Sequence, residues 1–556
     1  MEQLVECVPN FSEGRDRSVI DAITEVMARA GATVLDVDMG AAANRTVVTI
    51  AGSVEAVEES AFQGIRTATD RIDMSRHHGE HPRMGATDVC PFVPINGVTM
   101  AECVAMASRV GSRVARDLGV PVYLYEEAAS RPERASLADI RKGEYEGLTL
   151  KLADPDWRPD FGLPVFNARS GATVIGAREF LVAYNVNLNT RDKTIASRIA
   201  IRLRESGGGA RGPDGARLLD RAGAPIQIPG LFHNVRAVGW TIDEYGIAQI
   251  SINLTNFRIT PIHEVYEEAK RIADEIGVSV TGSEIVGLVP KDALLAAGRY
   301  YLERAGRCPG ASEAELIHIA MRSLGLSDVK PFVPADKVIE MRLRQGRRTL
   351  VDLATRDFVD QVGADAAVPG GGSVAALCGS LGAALTAMVA NLTVKRPEFA
   401  QVRRNMNALA IRAQAIKDRL LDLVVEDSLA FDSVMTAMRL PKTSDADKTA
   451  RNAAIEAANH QAASVPLQVL GLCREVAGLA GRAAADGFES CLSDAGVSAA
   501  AALAGAQGAH LNVAINAKAL KNRDVAATLS GEANGILDAT RAEVDAILSS
   551  IRARLV

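Results

Sequence analysis

The chain has 556 residues, of which 48% are hydrophobic and 23% charged, so its composition is that of a globular protein and excludes a disordered or collagen-like chain. At about 150 residues per domain, this length predicts about three or four domains rather than a single core. The net charge of −6 gives no reason to expect nucleic-acid binding.

The first half of the chain alternates strand-like and helix-like segments. Residues 33–38 and 45–51 are rich in β-branched residues and predict strands. Helices are predicted where apolar residues recur three and four apart. We therefore predict an α/β half of two subdomains that meet near residue 180, with mixed or antiparallel sheets and covering helices. The other predicted strands are 122–125, 180–186 and 248–254, and the helices are 18–30, 53–73, 195–205 and 263–276. A glycine-rich stretch, 207–215, predicts a surface loop.

The second half is built differently. Of the 23 Phe, Trp and Tyr residues, 19 lie before residue 346, and only four of the 21 prolines lie after it. Beyond a connector of residues 327–347, which ends in a basic run, helical periodicity takes over. We therefore predict an all-α bundle rich in Ala and Gly. Its predicted helical segments are 348–363, 373–394, 398–438, 446–481, 494–519 and 523–555.

Cysteine usage and hydropathy indicate the compartment. The seven cysteines are scattered and never form a CxxC pair, which fits a reducing cytoplasm and argues against disulfides or a structural zinc site. The first residues lack a signal-peptide pattern. Residues 370–394 are uncharged and long enough to span a bilayer, but their Gly, Ala and Ser content drives insertion only weakly. We expect a cytoplasmic chain in which this segment is a buried bundle helix, without membrane insertion.

The densest polar cluster is the sequence RHHGEHPRMG at residues 76–85. It contains three of the eight histidines, the side chain best suited to proton transfer near neutral pH. Three interpretations stay open: a metal site of His77 and His81, a solvated loop without a role, and a proton-transfer site whose arginines hold an anionic substrate. Gly79 and Pro82 work against the helix that would align the two histidines on a metal.

Two acids alternate along the first predicted strand. Asp36 and Asp38 therefore lie on one face of that strand. They are either solvated acids at a strand end, or they orient a catalytic base or bind a substrate amine.

A glycine run opens the first long helix of the second half. Ser373 follows Gly370, Gly371 and Gly372, and it is a plausible N-cap. Free N–H groups at this helix start would bind an anion or a carbonyl oxygen, and a plain tight turn is the alternative. The run is not a Walker A loop, so nucleotide binding is poorly supported.

One acid interrupts an apolar helix face. The neighbours of Asp427 at three and four residues are Leu423, Val424, Ala430 and Phe431. A buried carboxylate is costly and its pKa should rise, so Asp427 is either paired structurally or held as a general acid/base. Basic residues that could hold an anion nearby, or be plain surface charges, are Lys395, Arg396, Arg439 and Lys442.

Long motifs follow one another through the chain. They begin with LVECVPNFSEGRD, LDVDMGAAANRTV, RIDMSRHHGEHPRMGATDVCPFVPI, IRKGEYEGL and GATVIGAREFLVAYNVNL. They continue in the second half with PGGGSVAALCGSLGAAL, MRLPK and LSDAGVSAAAALAGAQGAHLNVAIN. In this order they resemble the family of bifunctional enzymes in which glutamate formimidoyltransferase is fused to formimidoyltetrahydrofolate cyclodeaminase.

The resemblance implies two consecutive steps of histidine breakdown that feed one-carbon metabolism. The first half would transfer the formimidoyl group of N-formimidoyl-L-glutamate to N5 of tetrahydrofolate. The second, a lyase, would close the ring through N10 and expel ammonia, giving 5,10-methenyltetrahydrofolate. Tetrahydrofolate, as a polyglutamate, would be the cosubstrate, with no permanently bound cofactor and no metal. Small-residue helices suit packing between subunits, so we expect a homo-oligomer. The expected domains are transferase subdomains at 1–180 and 181–327, a linker at 328–345 and a cyclodeaminase domain at 346–556.

The family's functional residues map onto this sequence. The histidine of the HPRMG motif, the transferase acid/base, is His81, and the catalytic aspartate of the cyclodeaminase matches Asp427. Asp38 and Asn10 would orient His81 or bind the amidine, and Arg83 would bind substrate. The folate-contacting segment follows the DFG sequence. The remaining expected binding residues are Gly162, Phe166, Asn167, Arg169, Ser170, Gly171, Gly371, Gly372, Ser373, Lys395 and Arg439.

One position departs from the family pattern. Gly487 is followed by Phe488 where a Gly-Asn pair is expected ahead of Ser493-Asp494. If that asparagine contacts the ligand, the chain would be an active transferase with a weakened cyclodeaminase half, serving mainly as a folate-binding or oligomerisation module. A metal-dependent amidohydrolase is a further alternative, which the lack of a second His/Asp cluster disfavours.

Overall fold

A computed structural model describes residues 3–41, 43–79, 81–210, 217–221, 223–242, 245–346 and 348–555. The chain divides into two compact units. The first unit comprises Met1–Ala293 and Leu324–Gln345, and the second comprises Leu294–Ser323 and Gly346–Val556.

The first unit begins with a mixed sheet. Its strand order is β1-β4-β2-β5-β7-β6, with β3 paired to β4. The β5–β7 and β6–β7 pairs are parallel and the others antiparallel. The elements are β1 (Leu4–Cys7), β2 (Asn10–Phe11), α1 (Arg17–Arg29), β3 (Thr33–Gly40), β4 (Arg45–Gly52), α2 (Val54–Arg71), β5 (Thr87–Asn96), α3 (Met100–Leu118), β6 (Val122–Glu126), α4 (Leu137–Ile140), α5 (Leu148–Ala153) and β7 (Thr173–Ala177).

The two faces of this sheet differ. Val48 and Ile50 of β4 pack into the core that contains the apolar residues of α1, α2 and α3. Because side chains alternate along a strand, Arg45 points to the opposite face. The register Asp38–Val47–Asn10 across β3, β4 and β2 places all three side chains on that same face. Polar groups therefore gather on the face away from these helices.

An antiparallel sheet follows in the same unit, in the order β11-β12-β8-β13. Together the two sheets confirm the predicted α/β half. Residues 211–215 of the predicted 207–215 loop lie outside the described residues. The elements of this part of the chain are β8 (Val182–Leu188), α6 (Lys193–Leu203), β9 (Gly208–Gly209), β10 (Gln227–Ile228), β11 (Val235–Ile242), β12 (Ile247–Leu254), α7 (Ile262–Ile276), β13 (Val280–Val286), α8 (Lys291–Arg304), α9 (Glu313–Ser323), α10 (Pro334–Lys337) and α11 (Ile339–Arg344). Of these, α9 and most of α8 belong to the second unit.

The second unit is the predicted all-α bundle. Glycines let its helices approach closely: a Cβ on Gly379 of α13 would lie 2.6 Å from Cys473 Sγ of α15. By length and composition α13 could cross a membrane, but 61% of its most apolar stretch is buried within the unit. Besides α9 and most of α8, its helices are α12 (Thr355–Val362), α13 (Gly371–Val394), α14 (Arg403–Arg439), α15 (Asp445–Asp486), α16 (Leu492–Ala519) and α17 (Arg523–Leu555).

Candidate active sites

His77 stabilises the histidine loop and has no nitrogen left for a ligand. Its Nε2 lies 2.9 Å from the carbonyl oxygen of Asn44, and its Nδ1 accepts a hydrogen bond of 3.2 Å from Arg83 Nε. Burial lowers the pKa of His77, so the ring is neutral with the proton on Nε2. Both ring nitrogens are occupied, so the interpretation of His77 and His81 as a metal pair has no support.

Arg83 anchors the same loop. The guanidinium is buried and donates to Glu146 Oε1 at 2.6 Å and to Glu144 Oε2 at 3.1 Å. These carboxylates raise the pKa of Arg83. Most of its donors are therefore taken by the protein, and its expected contact with substrate stays a prediction.

Asp88 fixes the other end of the loop. It is 1% exposed, its Oδ1 accepts from the backbone N of Met84 at 3.0 Å, and its Oδ2 forms an ion pair with Arg141. The start of β5 therefore holds both the loop backbone and a second arginine.

His81 has the environment of a general base. Burial lowers its pKa, the positive charges of Arg45 and Arg141 lower it further, and the charge of Asp88 opposes them. Its Nδ1 is buried without a hydrogen-bond partner among the described residues. A neutral imidazole with a free nitrogen can accept a proton from a bound molecule.

Arg45 completes this first site. It donates through Nη2 to Asn10 Oδ1, while Asn10 Nδ2 donates to the Val8 carbonyl at 2.9 Å. Arg45 Nε is buried and has no partner within the described part of the chain. Burial lowers the pKa of Arg45, and the charges of Asp88 and of the exposed Asp38 act against this. A partly buried cation with a free donor suits an anionic ligand.

Arg45 links the three predicted residues, since it is hydrogen-bonded to Asn10 and its charge interacts with those of His81 and Asp38. That they act in one site stays a prediction. The structure adds two residues that the sequence reasoning missed, Arg45 and Arg141. Both were inside quoted motifs, ANRTV and IRKGEYEGL, and an unexplained arginine in each was the available signal.

The segment expected to contact folate adjoins this site. Gly171 and Gly85 form an isolated bridge, and a Cβ on Gly171, whose φ is +67°, would overlap the Met84 carbonyl oxygen. Asn167 Oδ1 caps the turn by accepting from Ser170 N at 3.0 Å. Further along, Phe166 contacts the Tyr145 ring with centroids 5.4 Å apart. Gly162 precedes the exposed apolar residues Leu163 and Val165, while Arg169 donates to the Asp70 carbonyl.

In the second unit, Asp427 lies against the first turn of α13. A Cβ on Gly372 would overlap its carboxylate, and Ser373 Oγ lies 3.1 Å from Asp427 Oδ2. Burial raises the pKa of Asp427, and hydrogen bonds from the side chain and backbone of Ser373 lower it. The prediction that Ser373 is the N-cap is wrong, because Gly370 caps the helix and Ser373 lies in its first turn. The N–H groups at this helix start were expected to bind an anion, and the anionic group that lies against them is the carboxylate of Asp427.

Other expected binding residues of the second unit lie further away. Lys395, at the C-terminal end of α13, is about 33 Å along the helix from Ser373, and Arg439 is about 18 Å along α14 from Asp427. Closer to Asp427 is Asn512 of α16, whose Nδ2 lies 3.4 Å from the place of a Gly371 Cβ. Asn512 was not among the binding residues expected from the sequence.

The geometry thus defines an enzyme of two parts, an α/β unit with a neutral histidine between arginines and a helical unit with a half-buried aspartate. Family models match both: "Formiminotransferase domain, N-terminal subdomain" at residues 4–178, "Formiminotransferase domain" at 183–344, and "Formiminotransferase-cyclodeaminase" at 354–535. Formimidoyltransferase-cyclodeaminase of Rattus norvegicus is 42% identical over 558 residues, covering 100% of both chains.

Relatives of the separate halves also match. Glutamate formimidoyltransferase of Streptococcus pyogenes is 43% identical over 304 residues, which is 54% of this chain and 94% of that protein. Methenyltetrahydrofolate cyclohydrolase of Methylorubrum extorquens is 37% identical over 198 residues, 36% of this chain and 95% of that protein. The chain belongs to the formimidoyltransferase-cyclodeaminase family, which confirms the resemblance; it is an enzyme with a transferase half and a cyclodeaminase half. Because the full-length relatives match both halves, the alternative of a weakened second half is not favoured.

Proposed function

We propose that the two halves catalyse consecutive steps of histidine breakdown on one folate. The first half moves the formimidoyl group of N-formimidoyl-L-glutamate to N5 of tetrahydrofolate. The second half joins N10 to the same carbon, which closes the ring, releases ammonia and leaves 5,10-methenyltetrahydrofolate. The observation that carries the proposal is that each half of a chain similar throughout to the fused enzymes has a partly buried titratable group with a shifted pKa, His81 or Asp427.

His81 is the acid/base of the transfer. N5 attacks the amidine carbon and a tetrahedral adduct forms. The neutral imidazole takes the proton that N5 releases and returns it to the glutamate nitrogen, which leaves as an amine. The lowered pKa of His81 supports this role because the ring is then neutral, and able to accept a proton, near pH 7.

Asp38 and Arg45 bind the charged ends of formimidoylglutamate. A protonated amidine pairs with the exposed carboxylate of Asp38, and a substrate carboxylate pairs with Arg45, whose Nε is unpartnered among the described residues. Asn10 holds the Arg45 guanidinium and is a positioning residue.

The 162–171 segment binds tetrahydrofolate. A pterin ring needs an apolar surface with polar groups at its edge, which Phe166 with the exposed Leu163 and Val165 can supply. Lys395 and Arg439 bind the polyglutamate tail. They are exposed and far from Asp427 along their helices, which suits an extended polyanion better than the reacting ring.

Asp427 is the acid/base of ring closure. As a carboxylate it accepts the proton that N10 loses when N10 attacks the formimidoyl carbon. As a carboxylic acid it then donates to the departing ammonia. Its half-buried position and hydrogen-bonded carboxyl group support both states.

A cytoplasmic homo-oligomer without a permanent cofactor completes the proposal. The α13–α16 face, defined as Leu381, Met388, Leu392, Val497, Leu511 and Ile515, is apolar and exposed. Its residues recur at heptad-like spacing on two adjacent helices, which suits packing against a second copy of the chain. The net charge of −6 gives no support for a nucleic-acid partner.

Hydrolysis of 5,10-methenyltetrahydrofolate is a second candidate reaction of the helical half. The matching cyclohydrolase favours it, since water would attack the same carbon that carried the amine. Addition of water and cleavage of the bond from this carbon to N5 give 10-formyltetrahydrofolate and one proton. Loss of methenyl absorbance no faster than without protein would exclude it.

One assay tests the main proposal. Purified protein is mixed with tetrahydrofolate and formimidoylglutamate while ammonia and methenyl absorbance are followed. We expect His81→Ala to slow the first step about 100-fold or more, and Asp427→Ala to keep the transfer and accumulate 5-formimidoyltetrahydrofolate. Ammonia release at the normal rate by Asp427→Ala would show that this residue is wrongly assigned. Activity lost on chelation would instead favour a metal-dependent amidohydrolase.

A further inference from the structure

The carboxyl group of Asp427 occupies the space that any side chain at position 372 would need. Both its oxygens and its carboxyl carbon would collide with a Cβ on Gly372. Gly372 is in the first turn of α13, where the backbone has no helical partner for its N–H groups. The glycine therefore lets a carboxylate from α14 approach the helix start directly.

Ser373 offers this carboxyl group a hydroxyl that can point two ways. Its Oγ is fully buried and lies 3.1 Å from Asp427 Oδ2, 3.0 Å from the Val424 carbonyl oxygen and 3.3 Å from Ser428 Oγ. A hydroxyl has one proton and can accept as well as donate. It can donate a hydrogen bond to an ionised Asp427, or it can donate to the Val424 carbonyl and accept a hydrogen bond from a protonated Asp427.

We propose that Ser373 is a positioning residue that supports Asp427 in both protonation states. Gly372 provides the space in which the carboxyl group can gain and lose its proton. The proposal rests on Asp427 being the acid/base of ring closure. That role needs both states in one turnover, since Asp427 accepts from N10 and then donates to ammonia. Rotation of a buried hydroxyl provides a partner for each state without moving the helices.

Other titratable groups around Asp427 are occupied or distant from it. Burial and Ser373 set its pKa, and no charged side chain within the described ranges contributes. On its own helix, Glu426 is paired with Arg419, and burial raises the pKa of Cys378 on α13. Asp432, also on α14, is exposed, as is His460 of α15, and His510 of α16 is hydrogen-bonded to Asn534.

The test is ammonia release from 5-formimidoyltetrahydrofolate by Ser373→Ala, measured against pH. Without the hydroxyl both states of Asp427 lose a partner, but the ionised state loses more because hydrogen bonds to a charged group are stronger. The pKa of Asp427 therefore rises, and the acid limb of the profile moves to higher pH by about one unit. We expect the maximal rate to fall about tenfold. Ser373→Thr, which keeps the hydroxyl, should have the same acid limb in its pH profile as the wild-type protein.

Ser380→Ala is the matched control. Ser380 lies two turns further along α13, is 3% exposed, and donates to the Lys417 carbonyl of α14 at 3.0 Å, with no carboxylate involved. It should lose a similar buried hydrogen bond without moving the acid limb. An unmoved limb in Ser373→Ala, or an equal movement in Ser380→Ala, overturns the proposal.

Gly372→Ala provides an independent measurement if the serine variant does not fold. The methyl group of the new alanine would occupy the space of the Asp427 carboxyl group, so ammonia release should fall about 100-fold or more while transfer continues. Gly471→Ala on α15, where a Cβ meets nothing within 4 Å, should leave both rates unchanged. Ammonia release at the wild-type rate by Gly372→Ala overturns the inference that Gly372 provides the space for the Asp427 carboxyl group.

The proposed function of Asp427 and the proposed role of Ser373 can fail separately. If Asp427→Asn releases ammonia at the wild-type rate, the proposed function of Asp427 fails and the inference fails with it. If Asp427→Asn is inactive but Ser373→Ala keeps the wild-type acid limb, only the inference fails.

Discussion

His81 is placed where neighbouring charges decide its protonation state. Burial, Arg45 and Arg141 lower its pKa below the ordinary histidine value of about 6.5, and Asp88 offsets part of this. A lowered pKa means that the ring stays neutral until the pH falls below that value. The base form that the transfer needs is therefore present at neutral pH and is lost only in acid.

Replacing Arg45 should change the pH below which His81 becomes protonated. In Arg45→Gln one positive charge is gone, so the pKa of His81 rises and the acid limb of the transfer rate should move to higher pH by about 0.5–1 unit. The rate is measured at saturating substrate because Arg45 is also proposed to bind it. Arg17→Gln, at an exposed i,i+4 pair with Asp21, is the control and should leave the profile unchanged. A limb that stays in place or moves to lower pH contradicts this reading of the site.

Single residues also show where sequence reasoning stops. The histidine-rich loop and Asp427 could be marked as candidates from chemistry, because a histidine cluster and an acid on an apolar face are local patterns, whereas the choice of His81 within the loop came from the family resemblance. Arg45 could not be chosen, because its contact with Asn10 depends on the pairing of β4 with β2. Ser373 likewise looks like a helix cap in sequence, and only the packing of α14 shows that its hydroxyl meets a carboxylate.

Among the elements, the histidine loop and the 162–171 segment are held together by two glycines. Gly171→Ala must push the segment away from the Met84 carbonyl and also strains a left-handed φ of +67°. We expect a loss of about 2–4 kcal/mol in the free energy of unfolding and a large loss of transfer, with ammonia release from 5-formimidoyltetrahydrofolate retained.

Gly119→Ala is the control that separates the effect of backbone strain from the effect of a steric clash at Gly171. Gly119 ends α3 with a nearly equal φ of +65°, but a Cβ there meets nothing within 4 Å. This variant should lose about 1 kcal/mol in the free energy of unfolding, from backbone strain alone, and keep the transfer rate. Equal losses in the two variants, in denaturant unfolding and in rate, would contradict a specific role for the glycine bridge.

The elements themselves were predicted where periodicity was strong. The helices of the second half differ from their predicted bounds by a few residues in most cases, and the predicted strand at 45–51 is β4. No strand was predicted over Thr87–Asn96, which contains Pro91 and Pro94, and proline lacks the N–H that a central strand normally donates. β5 is nevertheless central, since Pro91 still accepts from Val8 N through its carbonyl oxygen.

At the scale of the second unit, the departure at Phe488 is far from the chemistry. Its backbone N donates to Thr393 Oγ1 at 2.9 Å, and its ring contacts Phe399 and the Arg396 guanidinium. Thr393 is about 30 Å along α13 from Ser373. Within one chain, Phe488 therefore packs the far end of α13 and does not contact Asp427.

The whole molecule leaves an apolar surface that its own chain does not cover. In the α13–α16 face, Leu511 is 67% exposed and Ile515 is 65% exposed, one helical turn apart. Phe431 belongs to the apolar periodicity of α14 but is 39% exposed, so burial predicted from that periodicity is not reached in the single chain. Exposed apolar side chains at helical spacing are typical of a face that packs against another subunit.

Leu511→Glu tests whether this face joins subunits. A charge in the middle of an apolar contact must be desolvated when the face is covered, so we expect the dissociation constant to rise about 100-fold, equivalent to about 3 kcal/mol, and the mass by light scattering to fall at micromolar protein. Leu555→Glu, at an equally apolar position that is 61% exposed at the end of α17, should leave the mass unchanged. If both variants keep the wild-type mass, the α13–α16 face is not the interface. If both lose it, the effect is one of net charge, because each variant adds one negative charge to a chain that already carries −6.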